Sequence, residues 1–400
     1  MIVDLFAGPG GWSTGLNLIG RAETVGIEWD KAACDTARAA GHERLQADIA
    51  ELDPHTIGGD HVEGLIASPP CQGFSMAGKG KGRLDALLLM HAAERMARGE
   101  QDLRDHLERN MKDTRSILAL EPLRWALELE PEWMAWEQVP AVLPLWEACA
   151  EVLRADGYSV WTGLVQAEQY GVPQTRKRAI LTATRNGIAD RPVPTHSKYH
   201  ARSKDKLDPG TLKWVSMAEA LNVSGMHLRH NSGHRDRPRD TDTGKQIVRE
   251  SDGSDYYLRF PTDAPAPSLT TQVGAWAWDN ATSLDGMRWI PVAANEGTTA
   301  DDMAWVHNRP SPTIIGSFAP DVVAAPGYRG PGDGPRQKAK GSVRVTVQEA
   351  GVLQSFPADY PWQGSKTAQY RQVGDAVPPL MAAHVLASIG VGQVTAEAAA

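Results

Sequence analysis

Long apolar runs are missing from this chain of 400 residues, and none approaches the length of a membrane span. The amino terminus has neither a basic start nor a small-residue cleavage site, so we expect no secretory signal. Only three cysteines occur, Cys34, Cys71 and Cys149, and they lack the spacing of metal ligands. So few cysteines exclude a disulfide framework and predict a protein of the reducing cytoplasm without a metal site.

Positive charge is also scarce, because the formal net charge is −8 at pH 7. A negative sum by itself argues weakly against nucleic acid as a partner. The basic residues nevertheless gather in three segments, 79–83, 176–178 and 229–239. Because the local distribution of charge matters more than its sum, a nucleic-acid partner stays open.

Short apolar strands alternate with helical patterns over residues 1–185. The clearest strands are predicted at 2–6, 24–28, 64–67, 133–136 and 179–183, with helical patterns such as 32–40 and 143–155 between them. This alternation predicts an α/β fold with a mostly parallel sheet and helices on both faces. Ligands of such sheets bind beyond the carboxyl ends of the strands.

The remaining chain predicts two further segments. Periodicity fades over 186–340, where Pro, Gly, Asp, Arg, Thr and Trp dominate, so we expect a smaller, loop-rich domain there. Residues 341–400 are expected to return to the first domain, 1–185, and to complete it with a helix at about 372–390 that covers the first strand. Residues 86–112 are interpreted as a helical insertion, for which a structural role is favoured.

A glycine-rich turn follows the first strand and leads into a helix at residues 4–11. Alone, the turn could equally be a tight structural turn. Glu28 ends the second strand about twenty residues on, where the hydroxyls of a ribose would lie. Trp29 could stack on an adenine, and Asp48 could accept from its amino group, although each acid could also be a helix cap. Together these residues predict a nucleoside pocket.

The phosphate-binding lysine of nucleotide triphosphatases is absent. No Gly-Lys-Ser/Thr follows the glycine turn, and the glycine- and lysine-rich segment 78–83 does not supply one either. Phosphoryl transfer is therefore disfavoured.

Cys71 is the candidate nucleophile. It lies in the segment Ser-Pro-Pro-Cys-Gln-Gly-Phe-Ser at 68–75, directly after the apolar strand at 64–67. A loop restricted by prolines at a strand's carboxyl end holds a cysteine rigid and exposed, as nucleophilic catalysis requires. Cys34 and Cys149 lie in helical patterns and are interpreted as small buried hydrophobic residues.

The segment at 69–75 closely resembles the nucleophile loop of DNA cytosine-5 methyltransferases. Further motifs of this family follow in order: residues 4–11 resemble its first cofactor motif, 136–139 its Glu-Asn-Val motif and 174–178 its Gln-x-Arg-x-Arg motif. Residues 309–313 and 374–379 resemble its ninth and tenth motifs. Two positions depart from the pattern, because Gln138 and Asp375 stand where the family usually has Asn. Asp375 would place a carboxylate near the cofactor.

The resemblance implies a Rossmann-like, S-adenosylmethionine-dependent methyltransferase fold with a target-recognition domain at 186–340. It also implies methyl transfer to carbon 5 of a flipped-out cytosine in sequence-specific double-stranded DNA. Cytosine C5 is a poor nucleophile, and adding the Cys71 thiolate to C6 activates it. Glu137 would share or donate a proton at N3, Arg178 would contact the base oxygen O2, and Arg176 would steady the site.

The resemblance and the predicted pocket supply the remaining site residues. The expected cofactor contacts are Phe6, Gly8, Gly10, Gly11, Glu28, Trp29, Asp48, Ile49, Pro70, Asp375 and Val377. The expected DNA contacts are Gln72, Ser75, Lys79, Lys81, Arg83, Gln174, Arg229, Arg235 and Arg237. For the basic residues among them, solvated surface charge is the alternative.

Three other functions compete with this interpretation. An RNA cytosine methyltransferase would share fold and chemistry, and only the long variable region favours duplex DNA. A catalytically inactive DNA-binding homologue is disfavoured because Cys71, Glu137, Arg176 and Arg178 are all present. A folate-dependent pyrimidine transferase is disfavoured by the predicted adenosine pocket. Pairing with a cognate restriction endonuclease stays open.

Overall fold

The computed structural model describes most of the two ends of the chain and short pieces between them. The described residues are 1–59, 61–70, 82–100, 103–111, 113–200, 203, 205–221, 227–230, 246–249, 256–259, 276–279, 311–312, 343–344 and 346–394. The strands are β1 Ile2–Leu5, β2 Thr24–Glu28, β3 Glu43–Gln46, β4 Gly64–Ala67, β5 Trp133–Gln138, β6 Ser159–Gln166, β7 Gln174–Thr175, β8 Lys177–Thr184, β9 His227–His230, β10 Gln246–Arg249, β11 Tyr256–Arg259, β12 Trp276–Asp279, β13 Ser311–Pro312 and β14 Val343–Arg344. The α-helices are α1 Gly11–Leu18, α2 Lys31–Ala39, α3 Pro54–Gly58, α4 Gly82–Ala97, α5 Arg104–Asn110, α6 Glu121–Leu129, α7 Leu143–Ala155, α8 Met217–Leu221, α9 Val347–Leu353, α10 Lys366–Asp375 and α11 Pro379–Ala387.

A seven-stranded sheet in the order β3-β2-β1-β4-β5-β8-β6 forms the centre of the fold. The pairs β3–β2, β2–β1, β1–β4 and β4–β5 are parallel, whereas β8 is antiparallel to both β5 and β6. The predicted α/β class and mostly parallel sheet are therefore confirmed. Because β8 runs against its neighbours, its first residues lie at the sheet edge where β1, β4 and β5 end.

Alternating side chains of the strands supply two apolar layers, one on each face of the sheet. Val3, Leu65 and Trp136 belong to a cluster that also contains residues of α4, α6 and α7. Ile2 and Ile66 belong to the opposite cluster, together with residues of α1 and α11. Burial on both faces explains why these strands are recognisable as short apolar runs.

The carboxyl-terminal segment differs from the prediction, because the helix expected at about 372–390 is two helices. Helix α10 ends at Asp375, Ala376 is extended with ψ 147°, and α11 begins at Pro379. Proline disfavours helical conformation in the residue before it and suits the first position of a helix. The pair Pro378-Pro379 therefore ends one helix and begins the next. Helix α11 packs against α1 in the apolar cluster that contains Ile2 of β1.

The predicted helical insertion is confirmed as helix α4, with α5 after it. Leu89, Ala92 and Ala93 of α4 are buried, and α4 packs against α7 on one face of the sheet. This burial supports the structural role that was favoured for the segment.

In the region 222–345, the structure describes six short strands, β9 to β14. Strands β14, β12 and β9 form one antiparallel sheet, and β10 pairs with β11. Strand β13 pairs in parallel with β7, so Ser311 lies beside Gln174. None of the helices in the described ranges is both long and apolar enough to cross a membrane.

Helix α1 approaches α11 so closely that Gly15 has no room for a side chain. A Cβ at this position would lie 2.7 Å from Ala382 Cβ and 2.8 Å from the carbonyl oxygen of Pro379. We expect Gly15→Val to lower the free energy of unfolding by about 1–3 kcal/mol through overpacking. Asn17→Val is the matched control, because it places the same side chain on an exposed position of α1. Equal urea midpoints for the two variants would contradict this packing.

Candidate active site

The turn after β1 forms one wall of the site at the carboxyl edge of the sheet. Phe6, Gly8 and Gly10 all have positive φ, at 58°, 53° and 111°. For Phe6 this conformation is strained, as is common in turns that bind ligands. Gly11 has a different constraint, because a Cβ there would lie 2.1 Å from the carbonyl oxygen of Val377. The turn therefore exposes backbone that side chains would otherwise cover.

Glu28 fastens this turn to the end of β2. Its carboxylate accepts hydrogen bonds from the backbone N–H of Gly8 at 3.0 Å and of Asp30 at 2.7 Å. Burial raises the pKa of Glu28, whereas these backbone N–H groups act in the opposite direction. Beside it, the indole of Trp29 is 74% exposed. An exposed aromatic ring next to a buried carboxylate fits the base and the ribose of a nucleoside, as predicted for this pocket.

Arg44 of β3 binds the glycine turn through hydrogen bonds of its guanidinium. Its guanidinium donates to the carbonyl oxygen of Gly8 at 3.3 Å and to the Ser13 hydroxyl at 3.1 Å. Asp4 is fully buried near this guanidinium, and its two carboxylate oxygens have no hydrogen-bond partner among the described residues. Burial raises the pKa of Asp4 to about 7, although Arg44 acts to lower it. The supporting role of Arg44 could not be predicted from the sequence, because β3 has no apolar run and no motif.

Two side chains hold the start of the loop that carries Cys71. The indole N–H of Trp12, on α1, donates to the hydroxyl of Ser68 at 2.8 Å. From the other side, the side-chain amide of Gln138 donates to the carbonyl oxygen of Pro69. The loop after β4 is therefore fastened both to the helix that follows the glycine turn and to the end of β5. Neither link could be predicted from sequence spacing.

An ion pair between β5 and β8 occupies the next position along the same edge. Arg178 Nε lies 2.7 Å from Glu137 Oε1, and both side chains are largely buried. Arg176 is also buried, and its Nη1 donates to the carbonyl oxygen of Gly374 at 2.8 Å. Glu137 and Arg178 are thus in contact, and Arg176 lies two residues before Arg178 at the same end of the sheet. The joint role of the three residues stays a prediction.

The segment between α10 and α11 closes the site from the carboxyl-terminal side. Val377 is buried, with its carbonyl oxygen against Gly11, whereas the side chain of Asp375 is exposed. The surrounding protein nevertheless raises the pKa of Asp375 to about 6, mainly through desolvation. Arg371 of α10 forms an ion pair with Asp30, a link that sequence analysis did not predict.

Several predicted contacts have roles within the protein. Asp48 is exposed, and its carboxylate accepts from the backbone N–H of Ala50, which caps a short 3-10 helix at Ile49–Glu51. Ile49 itself is 3% exposed and belongs to the core. Gln174 is completely buried and donates to the carbonyl oxygen of Leu353 at 3.3 Å. These contacts are all within the protein, so the ligand-binding roles of Asp48, Ile49 and Gln174 stay predictions.

A larger set of predicted residues lies outside the described part of the chain. The loop residues Cys71, Gln72, Ser75, Lys79 and Lys81 belong to it, as do Arg235 and Arg237. The side chains of Arg83 and Arg229 also lie outside the description, although their backbones belong to α4 and β9. Pro70, the last described residue before the loop, follows the two fastened residues Ser68 and Pro69.

The sheet order and the helices on its two faces form a Rossmann-like α/β fold. A solved structure of a Spodoptera frugiperda DNMT2 mutant has the same fold, with a TM-score of 0.54, 14% identity and coverage of 97% of this chain and 98% of that one. Residues 1–101 and 105–391 match the family of C-5 cytosine-specific DNA methylases, and the chain belongs to this family. This membership confirms the predicted enzyme class, DNA cytosine-5 methyltransferase.

Two curated relatives extend over nearly the whole chain. The type II methyltransferase M1.HphI of Haemophilus parahaemolyticus is 26% identical over 95% of this chain and 84% of its own length. The type II methyltransferase M.DdeI of Desulfomicrobium norvegicum is 24% identical over 95% of this chain and 86% of its own length. The similarity thus includes both the central sheet and the region between β8 and α9.

The bond between Trp12 and Ser68 can be measured by a double-mutant cycle. Trp12→Phe keeps an aromatic ring but removes the N–H donor, and Ser68→Ala removes the acceptor. We expect a coupling free energy of about 1 kcal/mol in urea unfolding, because each single variant leaves one partly buried polar group without its partner. Strictly additive effects of the two substitutions would show that the link contributes nothing.

Proposed function

We propose that this enzyme transfers a methyl group from S-adenosylmethionine to carbon 5 of a flipped-out cytosine in sequence-specific duplex DNA. The observation that carries the proposal is the convergence of three groups at one edge of the sheet. The glycine turn with Glu28 lies on one side, the Glu137–Arg178 pair lies on the other, and the loop leading to Cys71 lies between them. A methyl donor and a pyrimidine would meet at this central loop.

The residues of the first wall fit the proposed cofactor. Glu28 would bind the ribose hydroxyls, the exposed indole of Trp29 would stack on the adenine, and Asp48 would accept from the adenine amino group. Residues Phe6, Gly8, Gly10, Gly11, Ile49, Pro70, Asp375 and Val377 complete the proposed contacts. S-adenosylmethionine would supply a methyl group bound to a positively charged sulfur.

Cys71 would supply the nucleophile. Its thiolate forms a bond to C6 of cytosine, and the electron pair of the C5–C6 double bond becomes available at C5. C5 would then form a bond to the methyl carbon, while the carbon–sulfur bond of the cofactor breaks and leaves its electron pair on the sulfur. The C5 proton leaves to water, and the electron pair of the broken C–H bond re-forms the double bond as the thiolate departs from C6. The protein must therefore hold the ring so that C6 faces the Cys71 thiolate and C5 faces the methyl group.

The Glu137–Arg178 pair would hold the pyrimidine ring. Negative charge builds on N3 while the thiolate is bonded to C6, and the Glu137 carboxyl group would share or donate a proton there. Arg178 would donate to O2 of the base, and its ion pair with Glu137 keeps both groups in register. Arg176, bonded to the carbonyl oxygen of Gly374, would steady the arrangement rather than contact the ring.

In duplex DNA, the proposed substrate, stacking blocks the face of the ring from which the thiolate would attack C6. The target base must therefore leave the helix, at a cost of a few kcal/mol. Gln72, Ser75, Lys79, Lys81, Arg83, Gln174, Arg229, Arg235 and Arg237 are the proposed DNA contacts. We infer that residues 186–340 recognise the target sequence, and that 1–185 and 341–400 form the catalytic domain. The similarity to enzymes named type II methyltransferases supports pairing with a cognate restriction endonuclease.

The activity and its nucleophile can be tested together by expression in a host without cytosine methylation. Wild type is expected to protect cytosines of one short DNA motif from bisulfite conversion, and Cys71→Ser is expected to protect none. Cys149→Ala is the matched control, because this buried cysteine of α7 lies in the apolar core and should leave protection intact. Protection that survives Cys71→Ser would overturn the assigned nucleophile. Methylcytosine found only in the RNA of the host would replace DNA by RNA as the substrate.

The role of Glu28 can be tested by calorimetric titration with S-adenosylmethionine. We expect Glu28→Ala to weaken binding at least about tenfold, because it removes the proposed acceptor for the ribose and two bonds that fasten the turn. Glu43→Ala, an exposed change on the neighbouring β3, should leave the affinity unchanged. Equal affinities for wild type and Glu28→Ala would remove Glu28 from the proposed pocket.

A further inference from the structure

Asp375 lies between the two halves of the proposed site. The residue before it, Gly374, accepts a hydrogen bond from Arg176, and Val377, two residues after it, places its carbonyl oxygen against Gly11. Asp375 also lies within electrostatic range of Glu28 at the ribose end and of Arg178 at the base end. Any group that passes between cofactor and base must therefore cross the field of this carboxylate.

The charges around Asp375 are mostly positive. Arg176 has the largest electrostatic effect on it, followed by Arg371 and Arg178, and Glu28 is the acid that acts on it. Arg178 is paired with Glu137, and Arg371 with Asp30. Asp375 is exposed at this end of the sheet, although these charged groups act on it. Its negative charge therefore partly offsets the charge of the arginines there.

The cofactor changes its charge during the proposed reaction. The sulfonium of S-adenosylmethionine carries a fixed positive charge, whereas the thioether sulfur of S-adenosylhomocysteine, which is left after transfer, is neutral. The two molecules are otherwise alike in ribose, adenine and amino-acid groups. Guanidinium groups near the sulfur would repel only the sulfonium, and a carboxylate there would attract only the sulfonium.

We propose that Asp375 is a specificity-determining residue that favours the sulfonium cofactor over the thioether product. This inference rests on the proposed function, since it requires that the cleft bind both ligands. An uncharged amide at this position would not distinguish the two ligands by their charge. The carboxylate lowers the binding free energy of the positively charged S-adenosylmethionine alone. The consequence for the enzyme is weaker retention of its product after each transfer.

The test is calorimetric titration of wild type and Asp375→Asn with each ligand at pH 7.5, without DNA. The measured quantity is the ratio of the two dissociation constants, product over cofactor. We expect Asp375→Asn to lower this ratio about fivefold, mainly through weaker binding of S-adenosylmethionine, as for a charge pair lost in a partly solvated cleft. Glu147→Gln, the same change of charge on an exposed position of α7, should leave the ratio unchanged. An unchanged ratio in Asp375→Asn would overturn the proposal.

A pH series on wild type tests the same proposal without relying on the variant. The pKa of Asp375 is raised to about 6, so its charge, and with it the preference for the sulfonium, should decrease as the pH falls from 7.5 to 5. Glu28 also titrates with a raised pKa, but it is common to both proteins. The part of the pH dependence that disappears in Asp375→Asn therefore belongs to Asp375. A ratio in wild type that does not change with pH would overturn the proposal.

The outcomes also separate this inference from the proposed function. Wild type that binds neither ligand would overturn the proposed cofactor, and the role of Asp375 with it. If wild type binds both ligands, but the ratio of the two dissociation constants changes neither in Asp375→Asn nor with pH, only the role of Asp375 would be overturned. Tight binding of both ligands with a ratio that falls in the variant would support both.

Discussion

The close approach of Gly11 to the carbonyl oxygen of Val377 is the constraint on which the arrangement of the site depends. No side chain fits between these two backbones, which are more than 360 residues apart in sequence. Their contact brings the carboxyl-terminal segment onto the glycine turn and sets α11 against α1. The glycine turn and the segment between α10 and α11 are thus one packed unit built from the two ends of the chain.

Around this contact, buried polar groups hold the catalytic edge by linking elements that are distant in sequence. Arg44 binds the glycine turn from β3, Glu28 binds it from β2, and Trp12 binds the start of the loop after β4. Each of these bonds joins a loop to a regular element. Because loops are positioned by the rigid elements they contact, such bonds fix where reacting groups lie.

Local patterns predicted the strands that are buried on both faces, because β1, β2, β4, β5 and β8 are short apolar runs. The edge strand β3 has no such run, because its residues are mostly exposed. The range predicted for the last helix, about 372–390, includes the break between α10 and α11 that Pro378 and Pro379 mark. Glu28 was predicted from its place at the end of the second strand, and Glu137 and Arg178 were predicted from their motifs. The bonds of Trp12, Arg44 and Arg371 depend on tertiary packing, for which no local pattern exists.

The pairing of β13 with β7 has a consequence for how such enzymes can diversify. Ser311 lies beside Gln174, only two residues before Arg176 along the chain, so the polypeptide has returned to this end of the sheet by residue 311. The segment 196–311 therefore begins and ends near the same part of the fold, because the backbone N–H of His196 donates to the carbonyl oxygen of Gln169, five residues before Gln174. The entropic cost of closing a loop grows only slowly with its length. Insertions and deletions between these anchor points can accumulate at little thermodynamic cost. One sheet can in this way be combined with intervening segments of many lengths.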